Sequence, residues 1–401
     1  MISHRYERFR HAARRWLRRL VNFALIPLCV APIAAVAQDL ETPARHALLL
    51  DVTSGAVLME KEADVPMPPA SMSKLMTSYM VFRALHNGRL KMDDVLPVSE
   101  KAWKMAGSKM FVEVGKEVRV EDLLLGVIVQ SGNDACVVLA EGLAGSEEAF
   151  AERMNEVGKE IGLTDSHFTN ASGWPEPEHV MSARDLGRLA ERMIAEFPEY
   201  YELFKIKEFT YNNIRQGNRN PLLYKDVGAD GLKTGHTEAS GYGLVASAVR
   251  GERRLILVLN GMESVNQRSQ ESTRLLNWGF RNFDNYKLFE AGAAVADGIT
   301  WLGDEETVPL VLEKALTVTL ARKARKEMKV SVVYDGPIPT PIAKGDRVAT
   351  LRIQAPESIT IERPLLAGAD VGRLGVVGRL WAALRHLLLG PSALALPASA
   401  S

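Results

Sequence analysis

Strand-like runs at both ends of a helical stretch constrain the fold of this chain more than any other feature. Two apolar runs flank Thr53-Ser54-Gly55 within residues 46–59, which predicts a β-hairpin with Leu48, Leu50 and Val52 alternating on its first strand. Two further strand-like runs, residues 242–249 and 254–259, follow much later. Helical patterns fill the interval. This order predicts an α+β domain in which an antiparallel sheet is flanked by helices.

A polar pentapeptide interrupts one of these helical patterns. Apolar residues recur at helical spacing over residues 121–143, but Gln130-Ser131-Gly132-Asn133-Asp134 breaks the series. Polar groups between buried helical segments cost stability unless they have a role, although a simple loop between two helices is the alternative. The other helices are predicted at residues 71–87, 147–161, 182–197 and 272–283, and the third of these has Ser182 as its N-cap. Residues 169–175 are predicted to form a surface loop.

The C-terminal third of the chain is rich in short β segments. They are predicted at residues 308–312, 316–320, 330–334, 348–353 and 359–361, and turns such as Asp335-Gly336-Pro337 separate them. This pattern predicts a small all-β domain of the sandwich type. Because the segment has no histidine and no cluster of catalytic residues, we interpret it as a spacer or docking domain.

The N-terminus has the pattern of a secretory signal peptide. Residues 1–37 carry seven arginines and one glutamate, a net charge of +6, followed by an apolar run at residues 20–34 and by Ala35-Val36-Ala37 as a cleavage site. An uncleaved anchor is the alternative. Removal of the segment would leave 42 basic and 48 acidic residues, a mildly acidic balance that gives no support for nucleic-acid binding. It would also leave Cys136 as the only cysteine, which excludes an intrachain disulfide.

The C-terminal segment has the pattern of an amphipathic helix. At 100° per residue the apolar side chains gather on one side and Arg379, Arg385 and His386 lie on the other, which is typical of a helix lying in a membrane interface. A helix docked on the β domain is the alternative. The apolar residues are Leu374, Val376, Val377, Leu380, Trp381, Leu384, Leu387 and Leu388.

These patterns together predict the division of the chain. We expect a signal peptide at 1–37, a catalytic domain at 38–290, a β-rich domain at 291–366, a membrane-anchor helix at 367–390 and a flexible tail at 391–401. An exported protein attached to the outer face of the cytoplasmic membrane is the location that this division predicts.

A candidate nucleophile lies at the predicted start of the first helix, where Ser71 and Lys74 form a Ser-x-x-Lys motif. Residues i and i+3 lie on one face of a helix, so the hydroxyl and the amine can converge. A lysine that is buried near other cations can lose its proton and act as a base toward the hydroxyl. The motif alone also occurs by chance on solvated helix surfaces.

Two more motifs, Ser131-Gly132-Asn133 and Lys233-Thr234-Gly235, follow Ser71-x-x-Lys74 in the order found in serine-active penicillin-interacting enzymes. The wider sequence, including Asp230-Gly231-Leu232 and Ser182-Ala183-Arg184-Asp185, resembles the low-molecular-mass penicillin-binding proteins of the type 5 and 6 class. These are serine-type D-alanyl-D-alanine carboxypeptidases. The resemblance covers roughly residues 40–390 and implies a β-lactamase/transpeptidase-like catalytic domain.

The resemblance implies catalytic roles for five residues. Ser71 would attack the carbonyl between two terminal D-alanines and form an acyl-enzyme, with Lys74 as the base. Ser131 would relay a proton between the lysines and the leaving amine, while Asn133 would hold Lys74 and the substrate amide. Lys233 would add positive charge near the substrate carboxylate.

The resemblance also implies five substrate-binding residues. Thr234 would bind the substrate carboxylate, Gly235 would let the strand approach the substrate, and the backbone N–H of His236 would form an oxyanion hole with that of Ser71. Thr237 belongs to the same motif. Arg268 matches a family arginine that helps to bind the terminal carboxylate.

The expected substrate is the peptidoglycan pentapeptide, and the expected inhibitors are β-lactam antibiotics. No His-Glu-x-x-His motif or comparable metal spacing is present, so we expect neither a metal nor a cofactor. A peptidoglycan D,D-endopeptidase remains an alternative, as does a weak β-lactamase, because Glu176 and Glu178 lie near Asn170-Ala171-Ser172-Gly173-Trp174. A non-catalytic wall-binding scaffold is the alternative from a different class.

Overall fold

The computed structural model of the protein describes residues 40–356 and 360–381. The predicted signal peptide at 1–37, the tail at 391–401 and residues 382–390 of the predicted anchor helix lie outside these residues. In the described part of that predicted helix only residues 376–381 are helical. The prediction of a helix from residue 367 is wrong, because Ala367 ends a strand and Val371 pairs with Ile342 at the edge of the β-rich part. The described helices are α1 (Lys74–His86), α2 (Glu100–Lys104), α3 (Val120–Ile128), α4 (Asn133–Ala144), α5 (Glu147–Glu160), α6 (Ala183–Glu196), α7 (Pro198–Tyr201) and α8 (Val265–Asn282). Short 3-10 turns cover Ala70–Ser73, Glu202–Lys205, Pro221–Tyr224 and Arg322–Glu327.

The strands fall into a group before α8 and a group after it. The first group is β1 (His46–Asp51), β2 (Ala56–Lys61), β3 (Val95–Pro97), β4 (Glu117–Arg119), β5 (Glu208–Tyr211), β6 (Ile214–Gly217), β7 (Ala229–Thr237), β8 (Gly241–Arg250) and β9 (Arg253–Met262). The second group is β10 (Phe283–Phe289), β11 (Ala294–Trp301), β12 (Thr307–Val311), β13 (Leu316–Ala321), β14 (Lys329–Val333), β15 (Ile338–Pro339), β16 (Arg347–Gln354) and β17 (Ile361–Ala367).

The central sheet has five antiparallel strands in the order β2-β1-β9-β8-β7. The N-terminal hairpin therefore pairs with the last strand of the domain, as the positions of the strand-like runs predict. Strand β7 lies at one edge, next to β8 only, and this leaves its other side for the helical part of the domain.

Strand β1 is buried on both faces rather than on one. Leu48 and Leu50 pack into the core formed with the helices, while Ala47 and Leu49 pack into a second core on the opposite face of the sheet. The predicted alternation at Leu48 and Leu50 is therefore confirmed, but the intervening residues are equally buried because α8 covers the second face.

The helices predicted before residue 290 are confirmed, with differences at the start of the first and the last of them. Ser182 caps α6 by accepting a hydrogen bond from the backbone N–H of Asp185 at 3.1 Å. Helix α8 begins at Val265, seven residues earlier than predicted, and Ser264 caps it through the backbone N–H of Gln267 at 3.1 Å. The added turns are polar, so apolar periodicity gave no signal for them.

The C-terminal part is all-β, as predicted. A six-stranded sheet in the order β14-β16-β17-β12-β11-β15 encloses an apolar core together with the β10–β13 ribbon. Within the described ranges, no helix is long and apolar enough to span a bilayer.

Candidate active site

The candidate nucleophile lies in the 3-10 turn that precedes α1. Pro69 caps this turn, Ala70 has a positive φ of 49°, and Ser71 follows half-buried. The predicted helix start is therefore a 3-10 turn, and the α-helix begins at Lys74. The Lys74 amine lies 2.9 Å from Ser71 Oγ, so the i, i+3 pairing expected from the motif is present.

Lys74 is completely buried and makes polar contacts with three oxygen atoms. Its Nζ lies 2.9 Å from Ser71 Oγ, 2.7 Å from Asn133 Oδ1 and 2.6 Å from the Ser172 carbonyl oxygen. The pKa of Lys74 is lowered from its ordinary value to about 8, mainly by burial; Cys136 and Asp134 oppose this shift, and the charge of Arg219 adds to it. A substantial neutral fraction is thus available near neutral pH.

The polar pentapeptide forms the break between α3 and α4 and brings two side chains into the site. Ser131 is buried with a positive φ of 60°, a conformation that is uncommon for a residue other than glycine. Asn133 is the first residue of α4. Its Nδ2 donates to the Ala106 carbonyl at 2.8 Å, and its Oδ1 accepts a hydrogen bond from the Lys74 amine. Asp134 accepts hydrogen bonds from the backbone N–H groups of residues 110–112, which holds the neighbouring loop in place.

Edge strand β7 carries the third motif. The Lys233 amine, 3% exposed, donates to Ser131 Oγ at 3.0 Å. Burial lowers the pKa of Lys233 well below its ordinary value, and the nearby Lys74 cation lowers it further. One buried amine of depressed pKa therefore contacts the candidate nucleophile, and a second contacts Ser131.

Gly235 packs β7 against the nucleophile turn. A Cβ atom at this position would lie 2.8 Å from the Pro69 carbonyl oxygen and 3.0 Å from Met72 Cγ. A larger residue would therefore push the strand away from Ser71. The neighbouring Thr234 side chain is almost completely buried at the same place. The expectation that Gly235 serves the approach of substrate stays a prediction.

The remaining predicted residues lie at the end of β7 and beside it. The exposed His236 ring stacks on Tyr242 with centroids 3.8 Å apart, and Thr237 is tied to Ser240 through its hydroxyl at 2.8 Å. Arg268 on α8 is 5% exposed and donates to the Gly243 carbonyl at 3.4 Å. Burial lowers the pKa of Arg268 to about 10.

Two site features were missed by the sequence reasoning. The first is the Ser172 carbonyl, because residues 169–175 were predicted as a surface loop. Ala171, Ser172 and Gly173 are buried, so that prediction is wrong for the centre of the loop. The loop stays buried because its backbone carbonyls accept hydrogen bonds from side chains of α1. Every residue has a backbone carbonyl, so the sequence does not indicate which carbonyl binds a side chain.

The second missed feature is Arg219. It donates to Ser108 Oγ at 2.6 Å, and its charge lowers the pKa of both Lys74 and Lys233. A single arginine in an irregular segment gives no sequence signal, so only the fold reveals this cation near Lys74, Lys233 and Arg268.

Three further observations concern the β-lactamase alternative, a metal site and the cysteine. Glu176 and Glu178 are exposed to solvent. Among residues 40–356 and 360–381, no group of three or more histidines, cysteines, aspartates or glutamates is arranged to hold a metal ion. Cys136 is buried in α4 with a free thiol.

Comparisons with known proteins agree with this geometry. The family model described as D-alanyl-D-alanine carboxypeptidase matches residues 33–264, and the model of the penicillin-binding protein 5 C-terminal domain matches residues 283–373. The chain is 40% identical over 377 residues to the D-alanyl-D-alanine carboxypeptidase DacC of Escherichia coli K12, covering 91% of this chain and 94% of the relative.

Two solved structures have the same fold. Penicillin-binding protein 5 from Haemophilus influenzae has a TM-score of 0.77 and 37% identity, covering 84% of this chain and 100% of that one. Penicillin-binding protein D2 from Listeria monocytogenes in its ampicillin-bound form has a TM-score of 0.56 and 30% identity, covering 61% of this chain and all of that one.

Proposed function

This chain belongs to the D-alanyl-D-alanine carboxypeptidase family, and from that premise we propose that it removes the terminal D-alanine from peptidoglycan pentapeptide stems. The proposed reaction passes through an acyl-enzyme on Ser71. Penicillins form the same kind of acyl-enzyme and therefore inhibit the protein.

The observation that carries this proposal is the set of contacts around the Lys74 amine. A neutral amine has two N–H bonds and one lone pair. If the N–H bonds point to Asn133 Oδ1 and the Ser172 carbonyl, at 2.7 and 2.6 Å, the lone pair is left for the Ser71 hydroxyl at 2.9 Å. Lys74 thus receives the Ser71 proton as Oγ attacks the substrate carbonyl.

The other polar side chains complete the acylation step. The C–N bond to the terminal D-alanine breaks, and the leaving amine takes a proton through Ser131, whose hydroxyl contacts Lys233. Water then attacks the acyl-enzyme ester and releases the shortened peptide. Asn133 both orients Lys74 and binds the substrate amide.

Cationic and hydroxyl groups on β7 and α8 bind the substrate terminus. Thr234, Lys233 and Arg268 receive the free carboxylate, with Thr237 further along the same strand. The backbone N–H groups of Ser71 and His236 stabilise the oxyanion, because donors fixed in advance are most effective where charge develops.

The test measures D-alanine release from a pentapeptide by the purified protein, alongside covalent labelling with a fluorescent penicillin. We expect release of D-alanine and a label on Ser71, with both lost in Ser71→Ala and retained in the control Ser54→Ala.

The alternative functions give different results. Labelling without D-alanine release, together with cleavage of cross-linked dimers, would indicate an endopeptidase. Hydrolysis of a chromogenic penicillin at many turnovers per second would indicate a β-lactamase, and failure of Ser71 to label would favour a scaffold.

We also propose that the protein is exported and attached to the outer face of the cytoplasmic membrane by its C-terminal segment. The sequence pattern of residues 1–37 and 367–390 supports this location. Residues 376–381 are helical, and Val376, Val377, Leu380 and Trp381 are each at least 66% exposed, as expected for the first turns of an interfacial helix.

Deletion of residues 371–401 tests the anchor. We expect the truncated protein to move from the membrane fraction to the soluble fraction while the purified protein still labels with penicillin, because the active-site residues lie outside the deleted segment. Replacement of Leu380 and Trp381 by serine should have the same effect on fractionation. Retention of either variant in the membrane fraction would contradict the proposal.

A further inference from the structure

His179 is a buried histidine next to the nucleophile turn that the reaction described above does not use. Its ring is 2% exposed, and its Nε2 lies 2.7 Å from Ser73 Oγ. Ser73 is itself completely buried between Ser71 and Lys74 in the chain. The edge of the ring packs against Phe168, with centroids 5.8 Å apart.

The hydrogen bonds of the ring determine its tautomer. The backbone N–H of Thr169 lies 3.2 Å from His179 Nδ1, and a backbone N–H can only donate. Nδ1 is therefore the acceptor, so that Nε2 carries the proton and donates to Ser73 Oγ. The ring of His179, as one neutral tautomer, therefore connects the 3-10 turn of the nucleophile to Thr169, at the start of the loop of residues 169–174.

The buried loop, residues 169–174, is fixed to the N-terminal part of α1 and its preceding turn at three places. His179 joins Ser73 to Thr169, the Thr77 hydroxyl donates to the Ala171 carbonyl at 2.5 Å, and Lys74 donates to the Ser172 carbonyl at 2.6 Å. The last of these contacts is made by the proposed catalytic base. The position of the loop therefore sets the direction of one N–H bond of Lys74.

We propose that His179 is a positioning residue for acylation, which holds the buried loop on the nucleophile turn so that the Ser172 carbonyl directs the Lys74 lone pair at Ser71. This inference rests on the proposed function, because it assigns Lys74 as the base. A histidine that only filled space in the core would affect the stability of the fold and leave the protonation of Lys74 unchanged.

The electrostatic surroundings favour the neutral ring that the bridge requires. The pKa of His179 is lowered to about 4, mainly by burial, with smaller contributions in the same direction from the charges of His167 and Lys74. The bridge is therefore intact at neutral pH, and protonation of Nδ1 would break the bond to Thr169.

Two substitutions separate the two halves of the bridge. In His179→Asn, the side-chain amide can place an acceptor where Nδ1 was, but the donor to Ser73 is lost. In His179→Gln, the longer side-chain amide can place a donor where Nε2 was, but the acceptor for the Thr169 N–H is lost. Ser73→Ala removes the acceptor from the other side. The exposed His86 supplies the matched control, His86→Asn.

The experiment measures the second-order rate constant for acylation by a fluorescent penicillin from pH 5 to 10, together with the thermal midpoint of each variant. We expect at least a tenfold slower acylation at neutral pH in His179→Asn, His179→Gln and Ser73→Ala, roughly the effect of 1.4 kcal/mol. We also expect the acid limb of the profile to move to lower pH, because a displaced Ser172 carbonyl no longer accepts a hydrogen bond from the protonated Lys74 amine and the protonated form is then less stable. His86→Asn should match the wild type.

The double variant Ser73→Ala with His179→Asn should acylate no more slowly than the slower single variant, because both changes break the same bond. If the single variants lower the thermal midpoint but leave the rate and the acid limb unchanged, His179 is only a packing residue and the inference is overturned. Additive effects in the double variant would also overturn it. Failure of the wild type to acylate at Ser71 would instead contradict the proposed function.

Discussion

Two residues beside the candidate nucleophile adopt backbone conformations that are unfavourable for them. Ala70 and Ser131 have φ angles of 49° and 60°, and neither is a glycine. Such conformations cost on the order of 1 kcal/mol each and persist only where the surrounding structure imposes them. Here Ala70 directly precedes Ser71, which contacts Lys74, and Ser131 contacts Lys233.

The Lys74 pKa gives a prediction for the pH dependence of acylation. Burial lowers this pKa to about 8, so the neutral base becomes more abundant as pH rises toward 8. We expect the acylation rate constant to rise about tenfold per pH unit on the acid side and to level off above about 8. Because Lys233 is close by, the measured value belongs to the coupled pair of amines.

Fluorescent-penicillin labelling over pH 5–10 checks this expectation. Lys74→Arg should slow labelling by about 10²–10⁴ at every pH, because a guanidinium does not lose its proton. The exposed Lys104 provides a control, Lys104→Arg. A wild-type rate constant that is independent of pH from 5 to 9 would rule out Lys74 as the base.

At the scale of elements, the site depends on how closely the buried loop and β7 approach the nucleophile turn. Glycines stand at both contacts. A Cβ on Gly173 would lie 2.0 Å from the Ala70 carbonyl oxygen, and one on Gly235 would lie 2.8 Å from the Pro69 carbonyl oxygen. The backbones of the buried loop and of β7 therefore both lie directly against the nucleophile turn. A side chain at either glycine would push its backbone away from the turn.

Gly173→Ala tests this close approach. Gly173 has a φ of 73°, so alanine there carries backbone strain as well as the collision. Gly88 has a φ of 67°, and a Cβ atom there would have no neighbouring atom within 4 Å, so Gly88→Ala carries the strain alone, about 1 kcal/mol. We expect Gly173→Ala to lose roughly 1–3 kcal/mol more in urea unfolding and to acylate at least tenfold more slowly. Equal losses in the two variants would show that the contact is unimportant.

At the scale of the whole molecule, a buried polar network joins the central sheet to the β-rich part. Asp51 at the end of β1 pairs with Arg253 at 2.5 Å and accepts from Asn285 Nδ2 at 3.1 Å. Asn285 on β10 in turn accepts from Thr319 on β13 at 2.7 Å, and Thr319 lies 2.5 Å from Ser54 in the hairpin turn. Directional bonds of this kind fix the orientation of the two parts.

Asn285→Ala should weaken this connection without affecting chemistry at Ser71. The change removes two hydrogen bonds at a half-buried position, which we expect to cost roughly 1–3 kcal/mol and to broaden the urea-unfolding transition as the two parts unfold less cooperatively. The exposed Asn282 donates only within its own helix, to the Trp278 carbonyl, so Asn282→Ala is the control. An unchanged transition in Asn285→Ala, or a loss of penicillin labelling, would contradict this role.

Features that depend on local spacing could be predicted from the sequence. These are the i, i+3 pairing of Ser71 with Lys74, the break between α3 and α4, the cap at Ser182 and the presence of an antiparallel sheet flanked by helices. The order of the strands and the edge strand β7 were not predicted, because strand pairing depends on contacts between distant segments. The same patterns overlooked the polar start of α8 at Val265, because apolar periodicity is absent there.

The orientation and the protonation of the base depend on long-range packing. The Ser172 carbonyl, the His179 bridge and the Arg219 charge come from segments about a hundred or more residues from Lys74, and none of them has a local pattern. A backbone carbonyl has no side chain to mark it, and the pKa of an amine depends on burial and on distant charges. Local spacing therefore identifies the candidate nucleophile and base, while long-range packing supplies the environment in which the base can lose its proton.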